Sequence, residues 1–462
     1  MVRLAKYLII AACAALSVYV LSIGPIDETP AENEVLISVW YPWAGEAGER
    51  LREAIGAFNQ AGVIEPGTSN RIRVIALYAR NDISTNQKLF IAIAGGSPPD
   101  VTFVDGPQVA EWAHRRALSD LTEMIRRAGI RQEDYYPPCW RQTVYRGRVY
   151  ALTFCADPNF GLFWNKDAFR RAGLDPERPP RTIAELDALA ERLTVRSGDF
   201  YDSIGLVPWG VYGSANSMYT WGWVFGGQFY DDRADRITCD DPHIVRALQW
   251  IKSYDRRYDK ERIAALQSGF GSGERNPFIL GKLAMHPTVI SGLREIRRYA
   301  PGLQFGIAPL PYPDDEIWGT GEINSSWVGG WCLAIPTGSR HPEAAFEFVR
   351  WLCATDEGTE WVVRATGSFP GMRTCRYLRW LASDQGAAED PARNKLLQIL
   401  EACKHQRPVI PVQAYYLDQL RRAVDECLYK DVPASRALAS ARVNTQAALD
   451  RARAQARRRS TR

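Results

Sequence analysis

The sequence predicts an α/β protein built as two lobes, with the junction between them as the place for a pocket. Three observations support that expectation. At 462 residues the chain is too long for one ordinary core and fits two domains, each large enough to bury its own interior. Strand-like and helix-like stretches alternate along most of it, which implies parallel pairing through crossover connections. Between residues 149 and 164 an apolar run (149–154) stops at Cys155-Ala156-Asp157-Pro158 and resumes as 160–164, before a helix-like segment at Asn165-Lys166-Asp167. Two strand-length runs broken at an Asp-Pro step read as a chain leaving one sheet and entering another. Asp157 then lies where the lobes meet, and such junctions collect ligand pockets. The competing reading is a strand, turn and strand within one sheet.

The first strand, 34–40, runs into the aromatic cluster Trp40, Tyr41, Trp43 and a helical segment, GERLREAIGAFNQ. A second strand, Arg71–Tyr78, is followed by a helix pattern at Gln87–Ala94 that closes at Gly95-Gly96. The third strand ends at Asp105, ahead of Gly106-Pro107 and a helix over 109–117. In open α/β sheets ligands gather at the carboxyl ends of strands, which places Trp40, Trp43 and Asp105 at such an edge. Past the 149–164 stretch, Thr182 and Glu185 form a capping box for a helix over 182–195, and a strand is expected at 204–207. Residues 219–227 are densely aromatic, with too many glycines for a simple core helix. Asp231-Asp232, Asp240-Asp241 and Asp314-Asp315 suit turns and N-caps better than acid-base chemistry. Short strands follow at 281–286, 304–311 and 327–335, the last interrupted by Gly329-Gly330, where the backbone bends or something approaches closely. An amphipathic helix over 342–353, a loop over 367–373, a helix over 395–403 and a helical region opening at 411–416 complete the fold. The terminal RARAQARRRSTR reads as a solvated helix end.

The composition, 46% hydrophobic and 24% charged, is that of a globular protein. Removing Arg3, Lys6 and the six arginines from Arg451 onward takes the formal charge from +4 to −4, so the body has no nucleic-acid footprint. Arg3 and Lys6 precede an apolar run over 7–23 and then the polar IDETPAENE, the pattern of an export signal, compatible with cleavage or with retention as an anchor. Ile10-Ala11-Ala12-Cys13 resembles a lipoprotein box. Eight further cysteines in an exported chain permit disulfides in 105 pairings. The absence of any CxxC pair argues against a zinc or thioredoxin-like site, and nothing in the chain calls for a metal or cofactor.

The stretches PPDVTFVDG (98–106), YRGRVYALTF (145–154), LFWNKDAFRRAGLDPERPPRTIAEL (162–186), GKLAM (281–285), IAPLP (307–311), VGGWCLAIPTGSRHPEAAFEFVRWL (328–352) and GSFPGMR (367–373), in this order, resemble the extracellular solute-binding proteins of ABC importers. The family in question contains the maltose-, oligosaccharide- and glycerol-3-phosphate-binding proteins. The resemblance implies a two-lobed periplasmic binding protein fold of the α/β class, with a hinge, an interlobe ligand cleft and a closed form that a membrane permease recognises. It divides the chain into a signal or anchor segment (1–33), an N-terminal lobe (34–154 plus 330–372), a C-terminal lobe (155–329 plus 373–450) and a basic tail (451–462). It places the ligand at Trp40, Trp43, Asp105, Asp157, Tyr219, Trp221, Trp223, Gly330, Trp331, Arg373, Tyr415 and Tyr416. The family often carries an aromatic residue just after its GKAAM-like strand; the equivalent stretch here, 287–292, has none, so no known member's sugar specificity transfers.

Fifteen tryptophans make the physical case for a carbohydrate or polyol. Rigid aromatic faces suit the apolar face of a pyranose, while carboxylates and guanidinium satisfy its hydroxyls. Trp351, Trp361 and Trp380 sit in helical patterns and are expected to pack. A secreted carbohydrate-active enzyme is the first competing class, although the chain lacks GxSxG, HExxH and P-loop motifs and its five histidines are scattered. A ligand sensor that presents its closed form to a receptor is the second. The expected partners are a small solute and ABC permease subunits, with the protein itself a monomer in the periplasm or at the outer face of the cytoplasmic membrane.

Overall fold

The computed structural model describes residues 30–79, 87–198, 200–210, 212–259, 261–263, 271, 273–313 and 327–460. The export segment with Cys13 and the Asp314-Asp315 pair lie outside the described residues. Along the chain, β1 (Glu34–Tyr41), β2 (Arg71–Tyr78) and β3 (Val101–Asp105) precede the closely spaced β4 (Leu152–Thr153), β5 (Cys155–Asn159) and β6 (Gly161–Asn165). Then come β7 (Met285–Thr288), β8 (Phe305–Pro309), β9 (Trp327–Gly329), β10 (Trp331–Ala334) and β11 (Phe369–Pro370).

These strands form three sheets. The first has the order β2-β1-β3-β10-β4, with β1 parallel to both neighbours and β10 antiparallel to β3. Alternate residues of β1 (Val35, Ile37, Val39, Tyr41) are buried, the period of two that a half-covered strand requires. They pack with Leu51, Ile55 and Phe58 of helix α1 (Gly45–Ala61) and with Phe348, 5.1 Å from Phe58. The second sheet, β7-β6-β8, is antiparallel and buries all five residues of β6 inside a separate core rich in aromatics. The third, β9-β5-β11, is short and joins the other two: single residues, Phe154 and Phe160, separate β5 from β4 and β6, and Gly330 alone separates β9 from β10.

Asp157-Pro158 is therefore not the break that the apolar pattern suggested; both residues lie inside β5, and the chain changes sheets on either side of them. Pro158 is tolerated because β11 pairs only with Cys155 and Ala156, so no ladder on that side is interrupted. Residues 219–227 are also corrected. They belong largely to helix α2 (Ser214–Val224), buried throughout from Ser217 onward, and Gly222 is there for packing: a Cβ would lie 2.3 Å from Phe229 Cζ. The strand expected at 204–207 reduces to an isolated bridge from Ile204 to Leu283, the regular pairing falling at Phe200–Ser203 instead. The strand expected over 281–286 begins only at Met285.

The eight cysteines of the described residues are buried free thiols, not disulfides. Burial pushes Cys239 and Cys332 up to about 12, which makes them poor nucleophiles. Thr182 and Asp241 act as N-caps, and Asp231 accepts the Arg233 and Ala234 amides in a turn. Trp351 lies in the first core, while Trp361 and Trp380 pack at core edges. The basic tail continues a long terminal helix (Ala434–Ser460), with Arg453 paired to Asp235.

Gly330 controls the passage between sheets. Its φ is +136°, and a Cβ would lie 2.0 Å from the carbonyl oxygen of Cys155 on the neighbouring strand. Gly330→Ala is expected to cost about 2 kcal/mol of stability or more through backbone strain and collision. Urea unfolding of the variant would measure it; a midpoint equal to the parent's would show that the crossing relaxes freely.

Candidate functional site

Strand parity orients the joining sheet. Ala156, Val328 and Phe369 face one side and pack with Tyr136, Cys139 and Cys403 in a third core cluster. Cys155, Asp157 and Asn159 face the other way, together with Trp327 and Gly329 across the β5–β9 ladder. This second face, the floor, lies between the two large sheets, Cys155 packing in the core of the first and Trp327 in that of the second.

A continuous chain of contacts runs across that floor. Arg407 Nη2 donates to both carboxylate oxygens of Asp105, at 2.8 and 2.6 Å, and both side chains are about nine-tenths buried. The Arg407 guanidinium lies 5.4 Å over Trp327, whose ring meets Phe160 edge-on at 5.9 Å. Phe160 stacks at 5.4 Å on Tyr212, which is half exposed and whose hydroxyl is 3.2 Å from Ser291 Oγ at the start of helix Ile290–Tyr299. Trp327 Nε1 donates to Thr220 Oγ1 at 3.1 Å, which fixes the ring. Elsewhere Glu111 accepts the Ala414 amide at 3.1 Å, and Arg298 pairs with Glu46 on α1.

Asp157 sits in the middle of this floor. Burial raises its carboxyl pKa to about 6, against the opposing pull of the Ser368 hydroxyl and the Arg294 charge. Its Oδ1 is buried without a hydrogen-bond partner, as are Asn159 Oδ1, Arg407 Nε and Gln413 Oε1. Buried polar atoms are nearly always satisfied in native proteins, so several unsatisfied ones in one region mark a surface suited to a polar ligand.

Of the residues expected from sequence, the structure brings Asp105, Asp157, Trp331 and Trp43 to this region. Trp331 is the direct neighbour of Asp105 in the β10–β3 register and meets Trp43 at 5.4 Å. Trp40 points to the other face of the first sheet, beside Phe90 and Tyr150. Gly330 contributes backbone only. Trp223 stacks at 5.3 Å on His405 and touches Trp327, lying behind the floor. Trp221, Tyr219 and Tyr416 are corrected to core residues: each is fully buried, Trp221 donating to the Pro208 carbonyl, Tyr416 to that of Phe229, and Tyr219 stacked on Trp223. A helix packed on all sides hides its aromatics whatever their chemistry. Tyr415, on the same helix as Tyr416, is exposed. Arg373 is corrected too: its Nε donates to the Glu133 carbonyl on the opposite side of the joining sheet, away from the cleft. Arg407, Phe160 and Tyr212 carry no local signal; Arg407 stands alone in the polar loop HQRPVIP, and only the fold brings it to Asp105.

The family model for bacterial extracellular solute-binding proteins matches residues 81–358, more than half of the chain. The chain belongs to this family. Among the relatives of this solute-binding protein is the sn-glycerol-3-phosphate-binding periplasmic protein UgpB of Salmonella paratyphi A, 23% identical over 84% of the chain and 86% of the relative. The UgpB of Yersinia pestis is 23% identical over 90% of each chain. Mannotriose-bound CpMnBP1 superposes with a TM-score of 0.74 at 25% identity, covering 89% of this chain and 99% of the other. Maltose-bound MalE3 of T. maritima has a TM-score of 0.66 at 20% identity, covering 88% of this chain and 98% of the other. The solute-binding protein thus has the two-lobed architecture of periplasmic sugar-binding proteins. No helix among its described residues is long and apolar enough to cross a membrane.

Proposed function

We propose that the protein is the substrate-binding component of an ABC importer, capturing a sugar or polyol-like solute in the cleft and delivering it unchanged to a permease. The observation that carries the reading is the path from Asp105 through Arg407 to Tyr212: Trp327 and Phe160 are fully buried and support it from within, half-exposed Tyr212 offers an aromatic face, and Asp157 Oδ1 and Arg407 Nε lack partners. A solute with an apolar face and a belt of hydroxyls complements both. The names of the UgpB and CpMnBP1 proteins, which bind a glycerophosphate and a mannose oligosaccharide, support the same ligand classes.

In this reading the lobes are 34–154 plus 330–372 and 155–329 plus 373–450, and the ligand adds contacts to both only when they close. It shifts the open-closed equilibrium by that difference alone, and about 5.5 kcal/mol would invert a 1:99 population. The protein acts as an exported monomer, its N-terminal segment a cleaved signal or a retained anchor. A glycosidase needs two carboxylates free to act on the bond, whereas Asp105 is committed to Arg407.

A thermal-shift screen against sugars, polyols and glycerophosphates tests the proposal, since a ligand at a hundred times its dissociation constant stabilises by about 2.7 kcal/mol. Product formation from any hit would make the protein an enzyme and end the reading. Within it, Tyr212→Ala is expected to weaken solute binding about tenfold, near 1.4 kcal/mol, by removing one stacking face. Calorimetric titration of parent and variant checks this; equal affinities would take Tyr212 out of the site.

A further inference from the structure

Behind the joining sheet lies a second, differently charged cavity. Its volume is about 820 Å³, and Arg141, Arg373, Arg379 and Lys404 line it, with Glu401 and Tyr136 among the remaining walls. Tyr136 and Cys403 belong to the core cluster that covers the rear of β5, β9 and β11, so this cavity and the cleft lie on opposite faces of the same strands.

The way its arginines are held sets the cavity apart. Many arginines in this protein sit against a carboxylate, as Arg297 does with Asp390 and Arg376 with Glu360. Arg141 and Arg373 do not. Arg141 donates to Gln406 Oε1 at 2.7 Å and to the Lys404 carbonyl at 3.1 Å; Arg373 donates to the Glu133 carbonyl at 2.9 Å. All three acceptors are neutral. They orient the guanidinium groups without cancelling their charge. Arg379 is only partly compensated, with Asp356 at 3.7 Å. Glu401 brings a carboxylate to the same walls. Arg141 is exposed, and what desolvation it has works against its charged form, with Asp232 opposing. Cations gathered around one cavity repel one another unless an anion joins them.

We propose that this rear cavity is a binding site for a phosphate-bearing small molecule, separate from the solute cleft. Guanidinium groups bind phosphate oxygens through paired, charge-assisted hydrogen bonds, and Arg141 and Arg373 both line the cavity, held by neutral acceptors. Arg141 precedes the crossing strands in the chain, whereas Arg373, Arg379 and Lys404 follow them. A bound phosphate therefore ties together segments whose separation depends on the hinge, and its occupancy is linked to the affinity of the cleft.

Inorganic pyrophosphate is the probe. Titrated into the exported chain at constant ionic strength, it is expected to raise the melting temperature saturably, with Arg141→Gln and Arg373→Gln each weakening its binding at least tenfold. Glu401→Gln is expected to tighten it, a gain that a folding defect cannot imitate. Tyr212→Ala, in the cleft, is expected to leave pyrophosphate binding unchanged. A rise no larger than sodium chloride produces, or saturable binding indifferent to Arg141 and Arg373, overturns the site. Loss of binding in Tyr212→Ala instead places the anion in the cleft and equally overturns it, while leaving the solute-binding reading intact.

Discussion

Replacing Arg407 by methionine is expected to destabilise the protein by about 3–5 kcal/mol at neutral pH, the cost of leaving one partner of a buried ion pair unmatched. The Asp105 carboxylate would keep its burial and lose both hydrogen bonds from Arg407 Nη2. Because Trp327 lies under the same guanidinium, the loss falls on the cleft as well as on stability, and solute affinity is expected to drop with it. Two controls separate charge from packing. The double variant Asp105→Asn/Arg407→Met removes the orphaned charge and should recover much of the loss. The matched variant Asp105→Asn alone keeps the guanidinium and reports the packing cost of the amide. Denaturant unfolding of these proteins at neutral pH measures the outcome, and a double variant no more stable than Arg407→Met would show that packing, not charge, is at stake.

Asp157→Asn is expected to move stability and binding in opposite directions. Its carboxyl pKa is raised from 3.8 to about 6, chiefly by burial, so the folded protein holds a proton there that the unfolded chain has released between those values. Stability is thus favoured below about pH 4, falls as the pH rises through the window from 3.8 to 6, and is level above it. A shift of this size corresponds to about 3 kcal/mol at most. Asparagine removes that dependence, so the variant should be more stable than the parent at pH 7.5, the advantage vanishing near pH 4. Its solute affinity should fall, because the ionised carboxylate on the cleft floor accepts hydroxyls more strongly than an amide does. Thermal unfolding across pH 3.5–8 and titration at pH 7.5 test both halves. A stability gap that does not vary with pH would mean that the carboxyl is solvated; unchanged affinity would remove Asp157 from the site.

The same trade-off makes Asp157 conspicuous in the amino-acid sequence. A carboxylate inside an otherwise apolar run is a local anomaly, and local anomalies are visible in a sequence. Asp105, Trp43 and Trp331 are legible for a related reason, since each ends or adjoins a strand and the carboxyl edge of an open sheet is where ligands gather. The aromatic stretch at 219–223 fails on the same logic. Aromatics and glycines in a row look alike whether they line a cleft or fill a core, and the choice falls to Phe229, Trp250 and Tyr416, which close around α2 from elsewhere in the chain.

Arg373 and Arg407 show the limit most clearly. Both are arginines in loops, and the motif around Arg373 is the more suggestive of the two. Yet the joining sheet has two faces, and Arg373 falls behind it while Arg407 reaches Asp105, 302 positions away, in front. The sequence by itself determined the alternation of strands and helices, the two-lobed class, the crossing near Asp157 and several strand-end residues, because those depend on periodicity and local chemistry. Only the tertiary structure decided which face of three short strands each distant side chain meets, because that depends on packing between segments hundreds of residues apart.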